Sequence, residues 1–152
     1  MEADESMNYK IQQEPREQMH FYGGIRVVYV IFGSVRLQMM DTCWELYKND
    51  VAVINSGVMH QLSGSGGSGV CVASYGAELL VSLYGTEKNL FFICNSAADK
   101  SRPYGRIREI FREIIREYIR QNGRNVCRER SLLYKLLDCL WENYLGSEEN
   151  LS

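Results

Sequence analysis

Few residues of this 152-residue chain are imidazoles or thiols, the side chains that titrate nearest neutral pH and bind transition metals. There are two histidines, His20 and His60, and five cysteines, Cys43, Cys71, Cys94, Cys127 and Cys139. A structural zinc site needs several thiolate or imidazole donors gathered at short, regular spacing. These cysteines are irregularly spaced, form no C-x-x-C pair, and mostly sit in apolar surroundings such as Gly-Val-Cys71-Val-Ala. They read as small buried hydrophobes in a reducing compartment. Arg26 is the more pointed feature. It stands inside a β-branched run with Val28 and Val30 on its side of the strand. Projecting inward, its guanidinium needs an anionic or multi-acceptor partner. A ligand carboxylate or phosphate would serve, as would a sugar's hydroxyls or an internal carboxylate; turned to solvent, it needs none.

The other arginines concentrate between residues 102 and 130, nine against four glutamates. Clustered cations neutralise nucleic-acid phosphates. Here, however, they are interleaved with Glu109, Glu113 and Glu117 on one helix face, and no helix-turn-helix reader accompanies them. The stretch reads as a solvated face.

The elements that must position these groups follow from composition and period. A chain of this length buries a core without disulfide or metal staples. A hydrophobic fraction of 45% excludes a disordered chain, and two prolines exclude a polyproline segment. The longest apolar run, Val27 to Phe32, is far too short to span a membrane, and the acidic start (Glu2, Asp4, Glu5) has no apolar segment behind it. A net charge of −2 and these features predict a cytoplasmic protein.

Residues 1–95 and 96–152 differ in material: ten of thirteen glycines precede residue 86, and the second part is rich in Arg, Glu, Leu and Ile. Strands followed by helices predict an α+β fold. Ile25 to Phe32, apolar on both faces, predicts a strand buried on both sides. Gly33-Ser34 predicts a tight hairpin turn, followed by strands at Val35–Met39, Thr42–Tyr47, Val51–Ile54 and Val58–Leu62. Ser63 to Gly69 reads as a flexible hairpin connection. A strand at Val70–Tyr75, a short helix at Glu78–Tyr84 and a last strand at Leu90–Cys94 complete a sandwich or small barrel. Pro103 suits the first turn of a helix whose apolar stripe is Ile107, Ile110, Phe111, Ile114, Ile115 and Tyr118. Glu109–Arg112, Glu113–Arg116 and Glu117–Arg120 support it as i,i+3 pairs, and Asn122-Gly123 ends it. A second helix, Glu129–Leu145, turns Leu133, Leu136, Leu137, Leu140, Trp141 and Tyr144 inward, making an αα-hairpin.

The stretch His20-Phe-Tyr-Gly-Gly-Ile-Arg-Val-Val-Tyr-Val-Ile-Phe-Gly33-Ser resembles the first cupin motif, especially as found in sensor domains of AraC-type transcription regulators. Lys48-Asn49-Asp50, Ile54 to His60, and Phe91 to Ser96 followed by two helices extend the resemblance over residues 18–145. It implies a cupin (jelly-roll) β-barrel over residues 1–95, preceded by an acidic arm, and a dimerising αα-hairpin within 96–152. Metal-binding cupins carry His-x-His, a Glu four residues on, and a further His. Here those positions read His20, Tyr22, Arg26 and His60, and a guanidinium cannot be deprotonated beside a divalent ion. No metal, no cofactor and no enzymatic activity are therefore expected. The resemblance implies a sensor for a small polar or anionic effector, held by His20, Tyr22, Arg26, Arg36, Gln38, Trp44 and His60. It further implies a homodimer through residues 103–145, and DNA contact only through a DNA-binding domain that this sequence lacks. A small cupin enzyme and a ligand-free oligomerisation module are the alternatives.

Overall fold

The computed structural model describes residues 6–87, 89–120 and 123–146. Its centre is the strand that the sequence marks as apolar on both faces, β2 (Gly24–Phe32), whose residues from Gly24 to Val30 are all buried. It lies between β7 (Gly69–Gly76) and β5 (Val51–Ile54), with β1 (Met7–Gln13) on the far side of β7, giving the antiparallel order β1-β7-β2-β5. A second antiparallel sheet has the order β4-β3-β6, from β3 (Ser34–Met39), β4 (Cys43–Tyr47) and β6 (His60–Gly64). Bridges Arg16↔Ser63 and His20↔His60 lay residues 16–20 along the free edge of β6, filling a fourth strand position. The chain thus alternates between two facing sheets as a jelly roll does. Behind the first sheet stand α1 (Ala77–Tyr84), α2 (Gly105–Tyr118) and α3 (Val126–Tyr144), so the class is α+β as expected.

The two faces of β2 build two cores. Val28 and Val30 meet Val35, Leu37, Leu46, Leu62 and Val70 between the sheets. Ile25, Val27 and Tyr29 point the other way, into a cluster with Ile107, Ile110, Phe111 and Ile114 of α2 and Leu133, Leu136, Leu137 and Leu140 of α3. Tyr29 and Phe111 stack with ring centroids 5.1 Å apart. Burying each such side chain stabilises by roughly 1.5–3 kcal/mol, which is why these stripes carry the fold. Among the described residues no helix is long and apolar enough to cross a membrane.

Several expectations are corrected. The stretch before His20 is no mere arm: Met7–Gln13 is a full strand on β7, while the acidic Glu2, Asp4 and Glu5 lie outside the described residues. Gly33 does not make a hairpin, because β2 and β3 belong to different sheets. It turns a corner at φ +74°, where a Cβ would fall 2.8 Å from the Gly67 carbonyl oxygen. The glycine-serine stretch likewise passes from β6 to β7, in the other sheet, and it is packed: Ser68 is buried and its hydroxyl donates to the Ser65 carbonyl. Strand β6 begins at His60 rather than Val58, because the 55–58 turn is still closing there. Leu90–Cys94 is not a strand. It covers the edge of β5 through Val53 N–H to the Cys94 carbonyl and meets the C-cap of α3 through the Phe92↔Leu145 bridge.

In the helices, Pro103 lies one residue before the N-cap, Tyr104. Asn125 caps α3 by accepting from Arg128 N–H, so that helix starts before Glu129. Tyr118 is exposed, and Trp141 is partly exposed, stacked on Tyr84. Of the expected i,i+3 pairs Glu117–Arg120 forms at 3.2 Å, and Arg116 instead donates to the Arg112 carbonyl. Asn122 lies outside the described residues. Cys71, Cys94 and Cys139 are buried, whereas Cys43 and Cys127 are exposed.

Candidate functional site

Strand register places Arg26 beside Ser74 of β7, and Ser74 beside Asn8 of β1. The Arg26 side chain shares the inward face with Val28 and Val30, but it meets polar groups instead of aliphatics. Its Nη2 donates to Glu17 Oε2 at 2.7 Å and its Nη1 to Glu17 Oε1 at 3.1 Å, a two-pronged pairing that matches fork to carboxylate. Nη1 also lies 2.7 Å from His60 Nε2 and 3.5 Å from His20 Nε2. Leu62 N–H donates to Glu17 as well, at 3.1 Å. The guanidinium thus ties β2 to residues 16–20 and, through His60, to β6.

The electrostatics follow from this geometry. Burial alone would raise the Glu17 carboxyl, but the Arg26 guanidinium and the Leu62 N–H outweigh it and hold the group below the usual carboxylate range. Burial pushes His60 below the ordinary imidazole value, and the adjacent Arg26 charge pushes it the same way against the Val58 carbonyl. Burial raises the Tyr22 phenol against the pull of Arg26. Glu17 and Arg26 together leave little net charge.

In front of this group the two sheets part around a cleft of about 500 Å³. Asn8, Lys10 and Gln12 line it from one face of β1, Val72 and Ser74 from β7, with Glu17, His20, Tyr22 and Arg26 at its base. The lining mixes donors and acceptors with one added cation, Lys10, a pattern suited to a small polar ligand.

Of the expected ligand residues, the structure brings His20, Tyr22 and Arg26 to the cleft. His60 is fully buried and supports Arg26 without lining the cleft. Arg36, Gln38 and Trp44 stand elsewhere, on the second sheet. Arg36 is exposed and pairs with Glu45 at 3.3 Å. Gln38 donates to the carbonyls of Met39 and Thr42, and Trp44 packs against the core between the sheets. The alternation of Met7, Tyr9 and Ile11 with Asn8, Lys10 and Gln12 is a period-two signal that would have found the β1 wall.

The motif resemblance over residues 18–145 is to a family that often holds a divalent ion, and Glu17, His20 and His60 offer donor atoms within 4.8 Å of one another. As built, the site does not fit one. Arg26 Nη1 lies within 3.5 Å of a donor atom on each of the three, and that cation cannot shed its proton to make room.

The sheets and helices define a jelly-roll β-sandwich followed by two long helices. No family model matches the sequence, and no curated protein matches it. Among solved structures the chain is similar to a cupin superfamily protein from Desulfitobacterium hafniense, with TM-score 0.45 and 13% identity over 50% of this chain and 72% of that one. It is also similar to the cupin domain of Cnp3 from Schizosaccharomyces pombe, with TM-score 0.45 and 11% identity over 57% and 67%. A cupin-2 domain-containing protein from Shewanella frigidimarina gives TM-score 0.42 and 18% identity over 47% and 72%. Likenesses this partial bear on neither ligand nor activity.

Proposed function

We propose that this chain is a non-catalytic sensor and dimerisation domain of the kind carried by AraC-type transcription regulators, working in the cytoplasm. The observation that carries the reading is the polar cleft between the sheets, backed by the motif resemblance over residues 18–145. Because Glu17 already neutralises Arg26, the effector need not be an anion. Hydroxyls or amides can engage Asn8, Gln12, Ser74 and Tyr22, while Lys10 favours a ligand bearing one carboxylate or phosphate. A sugar or sugar acid has this chemistry. The α2–α3 hairpin would join two copies, and DNA would be met through a separate domain.

The test is a thermal-shift panel of sugars, sugar acids and small carboxylates. A ligand at a hundredfold excess over its Kd stabilises by about 2.7 kcal/mol, or about 5–10 °C for a domain of this size. The reading expects such a shift in the parent, reduced in Lys10→Met and Tyr22→Phe. A shift equal in both variants would remove the cleft from the proposal. Sedimentation at micromolar concentration tests the dimer, and a monomer throughout would refute that part.

A further inference from the structure

Both imidazoles at the base of the cleft are set up as electron-pair donors. His60 Nδ1 lies 2.8 Å from the Val58 carbonyl oxygen and His20 Nδ1 2.8 Å from the Gln18 carbonyl oxygen. A carbonyl only accepts, so each Nδ1 carries the proton and each Nε2 presents its lone pair. Imidazoles held by their far nitrogen in this way are what a metal centre requires of its ligands. The two rings lie 4.5 Å apart, held by the backbone bridge between His20 and His60. Glu17, on the same edge segment as His20, adds a carboxylate to the two imidazoles.

Two imidazole nitrogens and a carboxylate are the ligand set of an open, borderline-soft divalent site. Tetrahedral zinc bonds of about 2.0–2.2 Å set donors about 3.4 Å apart, so donor atoms that now lie within 4.8 Å of one another would have to close around the ion. One group occupies the focus of the three: Arg26 Nη1, at 2.7 Å from His60, 3.1 Å from Glu17 and 3.5 Å from His20. It reaches there from a different sheet.

We infer that Glu17, His20 and His60 form a divalent-cation seat that the Arg26 guanidinium fills as a covalently attached cation, so that removing this side chain yields a zinc- and cobalt-binding site. The inference does not depend on the cleft binding an effector, so the two stand or fall separately.

The experiment titrates Zn²⁺ by calorimetry and Co²⁺ by visible absorption into the parent chain, Arg26→Ala and Arg26→Gln. Arg26→Ala is expected to take one ion per chain, about tenfold or more tighter than the parent. Adding His60→Ala or Glu17→Gln to that variant is expected to abolish the uptake and the cobalt bands. Arg26→Ala leaves Glu17 without its counter-charge, so the metal-free variant is expected to melt early. If it does not fold, refolding on Zn²⁺ but not Mg²⁺, seen by circular dichroism, is the same result in another form. The inference is overturned if neither variant binds or is rescued, or if uptake survives His60→Ala. It is equally overturned if the parent binds Zn²⁺ as tightly through the same residues.

Discussion

Arg26 Nη1 donates to His60 Nε2 across 2.7 Å, and His60 Nδ1 in turn donates to the Val58 carbonyl. A ring engaged in this way has no place for a second proton. Protonating it would set one buried cation against another.

Stability should therefore fall in mild acid. His60 has a folded-state value below the ordinary 6.5, through burial first and the Arg26 charge alongside it. The unfolded chain takes up that proton more readily, so the full contribution is present above about pH 6.5 and is lost as pH drops through the folded value. Glu17, also lowered, adds a second loss starting near its ordinary 4.5. Melting temperature measured from pH 8 to 2.5 should decline in two stages, and His60→Gln should flatten the first. An unchanged first stage in that variant would count against this assignment.

Breaking the ion pair should be costly from either side. Glu17 and Arg26 side chains are only 16% and 10% exposed. Removing one partner from a pair this buried costs roughly 3–5 kcal/mol. Urea unfolding of Glu17→Gln and Arg26→Met should show losses of that order, with the double variant losing clearly less than their sum. Additive losses would mean that the two groups act independently.

Gly33 and Gly57 offer a matched comparison. Both have left-handed backbone, φ +74° and +79°, but only Gly33 has backbone within reach of an added Cβ. Gly57→Ala should cost about 1–2 kcal/mol from conformation alone, and Gly33→Ala more, because the corner between the sheets must open. Equal losses in chemical denaturation would show that the corner yields freely.

The polar wall of β1 should matter to ligand and not to folding. Asn8, Lys10 and Gln12 face the cleft, whereas Met7, Tyr9 and Ile11 face the helical side. Lys10→Met should leave the stability within about 0.5 kcal/mol of the parent, while Ile11→Ala should lower it. Differential scanning calorimetry on both variants checks the division; a large loss in Lys10→Met would assign that side chain to the fold.

What the sequence reveals here depends on how local the cause is. The double-sided strand at Arg26 to Val30 and the stripes Ile107–Ile114 and Leu133–Leu140 are readable because burial imposes its own period on neighbouring residues. Gly33 was open to misreading: a corner and a hairpin use the same turn chemistry, and the choice rests on which distant strand β3 pairs with. Leu90–Cys94 has strand composition yet forms no continuous ladder, being held by scattered backbone bonds and the Asn55 side chain. In the site, Arg26 announced a need for a partner, and His20 and Tyr22 came from the motif resemblance. Glu17 was invisible because its pairing is made across the gap between sheets. Arg36, Gln38 and Trp44 miss the cleft because the chain crosses to the other sheet before reaching them.

Strand β2 is a partition one residue thick. Arg26 looks into the cleft and Val27 into the helices, and they share a peptide plane. The backbone that carries the guanidinium on one face thus carries, on the other, the aliphatic surface against which α2 and α3 rest.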